Sequence, residues 1–166
     1  MKKFLKNMAM ALSLGLVISG SALAATTSTT MNVTANVGAV CTVSATPVDF
    51  GLYAGAQKNA TGTITVNCTN LAPYNVGIDQ GLNYDGSFRY ITNGTDDILY
   101  ELYSDAGYTS IWGDNGVTGG NYPWGNPVAG IGNGANQVLT VYGELSAGPL
   151  PSPGSYSDTV TVVVEF

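Results

Sequence analysis

Histidine is missing from all 166 residues, and only five Lys and Arg stand against 11 Asp and Glu. Without an imidazole, no Ser-His or Cys-His nucleophile can be assembled. The commonest nitrogen ligand of zinc and copper sites is missing too. Cysteine is nearly absent: Cys41 and Cys68 occur, with no CxxC motif. Charged residues make up only 10% of the chain, low for a freely soluble enzyme and better tolerated in a protein packed against copies of itself. No stretch of useful length carries a 3.6-residue apolar period, so amphipathic helices are excluded as the framework. No cofactor is implied.

The few basic residues are concentrated at the start. Lys2, Lys3 and Lys6 precede the apolar run 8–18, and Ala22-Leu23-Ala24 follows with small residues at the spacing signal peptidase reads. This layout predicts a secretory signal peptide over residues 1–24, cut between Ala24 and Ala25. The apolar run is shorter than the roughly 20 residues a membrane-spanning helix needs. Once it is removed, Lys58 and Arg89 face all 11 acidic residues, a net charge of −9. Such a surface cannot hold nucleic-acid phosphates or anionic lipid heads. Two cysteines in an exported chain predict a Cys41–Cys68 disulfide, worth roughly 3–4 kcal/mol in the chain-entropy account.

What remains suits one domain with a real core. The 22 glycines, the ten tyrosines and the many Thr and Val residues fit short strands joined by turns. Period-2 alternation recurs throughout. It places Met31, Val33, Ala35 and Val37 on one face of a strand over Thr29–Val37. Further strands are expected through Cys41 and Val43 to near Pro47, and over Thr61–Asn70. Others follow at Tyr74, Val76 and Ile78, at Ile98–Tyr103, at Gln137–Ser146 and at Thr159–Phe166. The Gly-rich stretch 107–136 is read as loop with a short strand near Ile111-Trp112. About seven strands with turn signals between them point to a β-sandwich of immunoglobulin-like design.

Two features depart from a self-sufficient sandwich. The strand Thr29–Val37 is joined to the first cysteine strand by one or two residues, too few for a comfortable return into the same sheet. The final strand runs to Phe166 with no following segment to cover its edge, and bare apolar edges are normally avoided. A domain lacking one strand, and carrying a spare one, is expected.

Cys41-Thr42-Val43, Asp49-Phe50-Gly51-Leu52-Tyr53 and Ile64-Thr65-Val66-Asn67-Cys68 resemble the opening of a spore coat protein U domain. Arg89-Tyr90, Leu99–Tyr103, Trp112-Gly113, Val141-Tyr142-Gly143 and Gly154–Val162 match the rest of that pattern. The family includes subunits of archaic chaperone–usher pili of Gram-negative bacteria. The resemblance therefore implies an all-β, incomplete immunoglobulin-like sandwich missing its final strand, with an N-terminal donor-strand extension. It divides the chain into a signal peptide (1–24), a donor strand and linker (25–38) and a pilin domain (39–166).

The implied partners are neighbouring copies, a periplasmic chaperone and an outer-membrane usher. The implied place is the cell surface, reached through the periplasm, and the implied use is adhesion and biofilm formation. Met31, Val33, Ala35 and Val37 would be the donor residues. The acceptor groove would be lined by Cys41, Val43, Val160, Val162, Val164 and Phe166.

Two rivals remain at this stage. One is a non-fibrous spore or cell-surface coat protein. The other is a secreted carbohydrate-binding module using Tyr108, Trp112, Tyr122 and Trp124 to stack on sugars. Asp96-Asp97 and Asp114-Asn115-Gly116 read as turn residues rather than as glycosidase carboxylates or a calcium loop.

Overall fold

Alternation becomes a strand only where a neighbour takes up the main-chain hydrogen bonds, and the structure sorts the alternating segments on that basis. The computed structural model describes residues 24–116 and 125–166. Within residues 36–166, which form one compact unit, eight strands occur among the described residues and no helix. They are β1 (Cys41–Ala45), β2 (Lys58–Cys68), β3 (Pro73–Ile78), β4 (Arg89–Thr92), β5 (Asp97–Tyr103), β6 (Val128–Ile131), β7 (Gln137–Leu145) and β8 (Val162–Glu165). One sheet runs β1-β2-β7-β5-β4, the other β6-β3-β8, and every pairing is antiparallel. The result is the expected all-β, immunoglobulin-like sandwich.

The core sits between the sheets. Ile64, Val66 and Cys68 of β2 and Tyr74, Val76 and Ile78 of β3 are buried at every second position. Ile98, Tyr100 and Leu102 of β5 and Val141 and Leu145 of β7 complete it. Trp112 fills the space between, 1% exposed, with its indole N–H on the Val76 carbonyl at 2.8 Å.

Beside it Arg89 is fully buried. Its guanidinium meets Glu101 at 2.6 Å and donates to the carbonyls of Ile78, Asp79 and Trp112. A buried guanidinium survives only when its N–H groups are used in this way.

The structure also revises several sequence expectations. β4 and β6 were not anticipated. The strand expected at Ile111-Trp112 consists only of single bridges, Tyr103 to Ile111 and Trp112 to Asn126. The final strand is shorter than the alternation suggests, because Thr161 gives its N–H to the side chain of Asp79 instead of a strand partner. No strand forms over Thr29–Val37, and residues 24–40 carry no regular secondary structure. The predicted signal peptide falls almost wholly on residues 1–23, outside the described residues.

Candidate functional site

Glycine in a strand often marks a place where another backbone approaches closely. Gly62 does this on β2, and Gly143 on the adjacent β7 makes room for side chains of the same approaching segment. A Cβ at Gly62 would lie 2.8 Å from the Thr46 carbonyl oxygen, and one at Gly143 would lie 2.6 Å from Val48 Cγ1. The segment after β1 therefore lies directly on the sheet, with Val48, Phe50 and Tyr53 packed against the core. The Tyr53 hydroxyl fixes it by donating to the Ser146 carbonyl at 3.0 Å.

A second segment, 150–161, approaches from the other side. Asp96 holds it at one end, accepting from the Ser152 amide at 2.8 Å and from the Ser152 and Tyr156 hydroxyls. The Ser152 bonds keep the Asp96 carboxyl below the usual carboxylate range. Asp158 holds the other end. It accepts from the amides of Leu82 and Asn83 at 3.0 and 3.2 Å and from the Tyr100 hydroxyl at 2.6 Å. Burial, then the Asp158 bond, pushes the Tyr100 phenol far up. Gly81 is required here, since a Cβ on it would fall 2.1 Å from Asp158 Oδ2.

Between the two segments a cleft of about 970 Å³ opens into the core. Its floor includes Ile64, Ile78, Leu102, Val141 and Leu145, each among the most buried residues of the chain. A finished sandwich closes over such residues at crystal-like density; here a cleft borders them, although each stays at most 4% exposed.

The main chain along the cleft is unfinished as well. Ser157 exchanges two 3.1 Å bonds with Thr92, the Thr159 carbonyl accepts from Leu82, and the Thr161 carbonyl accepts from Asp79. In extended chain, alternate residues turn their polar groups to opposite sides, so Val160 points its N–H and carbonyl the other way. No main-chain partner meets them among the described residues. Among the described residues β8 pairs only with β3, and β1 only with β2. The Cα atoms of β1 and β8 come within 8 Å, yet the two strands are not hydrogen-bonded.

The expected site residues divide accordingly. Val160 and Val162 line the cleft; Cys41, Val43, Val164 and Phe166 do not. Val43 stands opposite the fully buried Val66 on the same face of the sheet, yet is 41% exposed. Phe166 is 57% exposed, although it follows Val164 on the inward side of β8. Both belong to the same uncovered edges, beyond the cleft proper.

Cys41 and Cys68 are disulfide-bonded, joining β1 to β2. Met31, Val33 and Val37 are 85–88% exposed, and Ala24, Ala25 and Ala35 are exposed too. The sequence reading missed Val48, Phe50 and Leu150 as cleft residues. The signal that could have found two of them is the pair of strand glycines beneath Val48 and Phe50.

The rival sites look different in three dimensions. Trp112 is in the core and cannot stack on a sugar, while Tyr122 and Trp124 lie outside the described residues. Tyr108 packs edge-on against Tyr103 and Tyr142. Asp96 is more than a solvated turn residue, because it anchors the 150–157 segment. Asp114 closes a tight turn by accepting the Gly116 amide at 3.2 Å. No cluster of three metal-ligating side chains occurs among the described residues.

The family model of the Spore Coat Protein U domain matches residues 27–163. "Protein U" of Myxococcus xanthus is 30% identical over 172 residues, covering 91% of each chain. A solved structure with the same fold is that of the CsuC-CsuE chaperone–tip adhesion subunit pre-assembly complex, from the archaic chaperone-usher Csu pili of Acinetobacter baumannii. It superposes with a TM-score of 0.59 at 22% identity, over 77% of this chain and 40% of the other. The present chain thus spans less than half the length of that solved chain.

Proposed function

The chain belongs to the Spore Coat Protein U domain family, and on that premise we propose that it is a structural pilus subunit, polymerised by donor-strand complementation. The reading is carried by the cleft that runs down to the core beside the unpaired main chain at Val160. An added strand answers both needs at once: its main chain completes the sheet, and its alternate side chains fill the cleft.

Residues 25–37 of a second copy supply that strand. Met31, Val33, Ala35 and Val37 face one way, and 13 residues at 3.3 Å each reach about 43 Å, enough to cross a sandwich. Val160, Val162, Val48 and Phe50 form the groove that receives them, and Val43, Val164 and Phe166 extend it. Period 2 sets the register, because a slip of one residue would bring Asn32, Thr34 and Asn36 inward. Each buried Val or Met contributes about 1.5–3 kcal/mol, so the joint dissociates very slowly without a covalent link.

Before assembly, a periplasmic chaperone covers the groove and an outer-membrane usher exchanges it for the next subunit's arm. Residues 1–24 direct export and are removed after Ala24. The finished fibre stands on the cell surface and serves adhesion and biofilm formation. The role is architectural rather than catalytic.

The test is to replace Val33 and Val37 with Asp in the producing cell. Surface fibres should disappear while the domain itself still folds; fibres of normal length and strength would refute the donor assignment. The Myxococcus relative supports a second reading, a non-fibrous coat built from the same domain. Electron microscopy of the producing cells separates the two, by thin fibres or an even layer.

A further inference from the structure

Only Gly38, Ala39 and Val40 separate the arm from β1, and they are not a loose tether. Val40 gives its N–H to Thr69 Oγ1 at 3.0 Å and accepts the Thr69 N–H at 2.9 Å. The Thr69 hydroxyl faces the carbonyls of Val40 and Gly38 at 3.3 and 3.5 Å. One residue on, Cys41 stands opposite Cys68 at the first rung of the β1–β2 pair and is covalently bonded to it. Residues 38–41 are therefore fastened to residues 68–69 by hydrogen bonds and a disulfide in immediate succession.

The position of this fastening gives it a mechanical meaning. Among the described residues β1 is an edge strand of five residues, paired on one side only. Tension applied at its first residue would load its hydrogen bonds one after another, starting at the Cys41–Cys68 rung, and the strand would peel. A covalent bond at that rung stops peeling at its first step. Tension passes instead to Cys68 and along the continuous chain of β2, which β7 holds from Lys58 to Val66. Thr69 acts one residue further out, where it fixes the course of the chain as it leaves the domain.

We propose that Thr69 and the Cys41–Cys68 bridge form a clamp that carries tension and orientation from a subunit's arm directly into β2, bypassing β1. The inference rests on the donor-strand reading and adds to it. Thr69 becomes a positioning residue of the joint, and the disulfide has a role in the assembled fibre as well as in the isolated fold.

The test uses fibres assembled from the wild type, Thr69→Ser, Thr69→Val and the double variant Cys41→Ala/Cys68→Ala. Each is stretched singly between a bead and a surface, and imaged for the angles between successive subunits. Wild-type and Thr69→Ser fibres should straighten smoothly, with no discrete step before the domains unfold. The cysteine variant should add a low-force step of about 17 Å per subunit, five residues at 3.3 Å each.

Thr69→Val keeps the shape of Thr69 but loses its hydroxyl. It should broaden the angle distribution about twofold without adding the step, and it decides the matter if the cysteine variant fails to assemble. Normal fibres from Thr69→Val with wild-type angles, or from the cysteine variant with no added step, overturn the clamp alone. A wild-type chain that builds no fibres overturns the donor-strand reading, and the clamp with it.

Discussion

Arg89 is fully buried, and its guanidinium is held by the Glu101 carboxylate and three main-chain carbonyls. Removing one partner of such a pair strands a charge in the interior, so Glu101→Ala should cost about 3–5 kcal/mol. Denaturant titration measures this as a lower midpoint with the slope unchanged.

Asp96 makes a prediction about pH. Its folded pKa lies below the ordinary 3.8, chiefly through the Ser152 hydrogen bonds. Its contribution is therefore present above the ordinary value and lost as pH falls through the depressed one. Asp96→Asn should loosen the 150–157 segment at neutral pH, seen as faster amide exchange at Ser152, and wild type should match it only in strong acid. Neither role is legible locally. Arg89-Tyr90 reads as an exposed dipeptide until β5 brings Glu101 beside it, and Asp96 reads as a turn residue until a segment 56 positions later arrives.

Strands, by contrast, are legible when their side chains alternate in chemistry as well as in direction. β2, with Thr63, Thr65 and Asn67 outward and Ile64, Val66 and Cys68 inward, could be read directly, as could β3 and β7. β4 is too short, and β6 too rich in small residues, for alternation to mark them. β6 contains Gly130 because the Tyr74 ring lies across it, with its Cζ 2.3 Å from where a Cβ would stand. That cause belongs to β3 and lies far away in sequence.

The glycines beneath the cleft wall obey the same logic. Gly143→Val should push Val48 and Phe50 off the sheet and destabilise the domain by about 1–3 kcal/mol. Its readout is the thermal midpoint, which falls by about 3–15 °C for a domain of this size. Thr29–Val37 has the strongest alternation of any segment without a sheet partner. A pattern specifies which face a strand buries, while its partner has to come from elsewhere.

At the scale of the molecule, the domain has a packed floor and an unfinished side. Inward-facing residues, Val43 and Phe166 among them, remain exposed along the edges of β1 and β8. The sandwich class and the disulfide were readable from the sequence. The walls of the cleft were not, because they are irregular segments positioned by side-chain anchors at Asp96, Asp158 and Tyr53 rather than by periodicity.

The account therefore turns on where the arm of one copy binds another. A photo-crosslinking amino acid at position 33, in fibres assembled from a mixture of isotopically heavy and light subunits, tests this most directly. The account predicts mixed heavy–light crosslinks whose partner peptides contain residues 45–53 or 150–162. Crosslinks confined to a single copy, or reaching another copy away from the cleft, would contradict it.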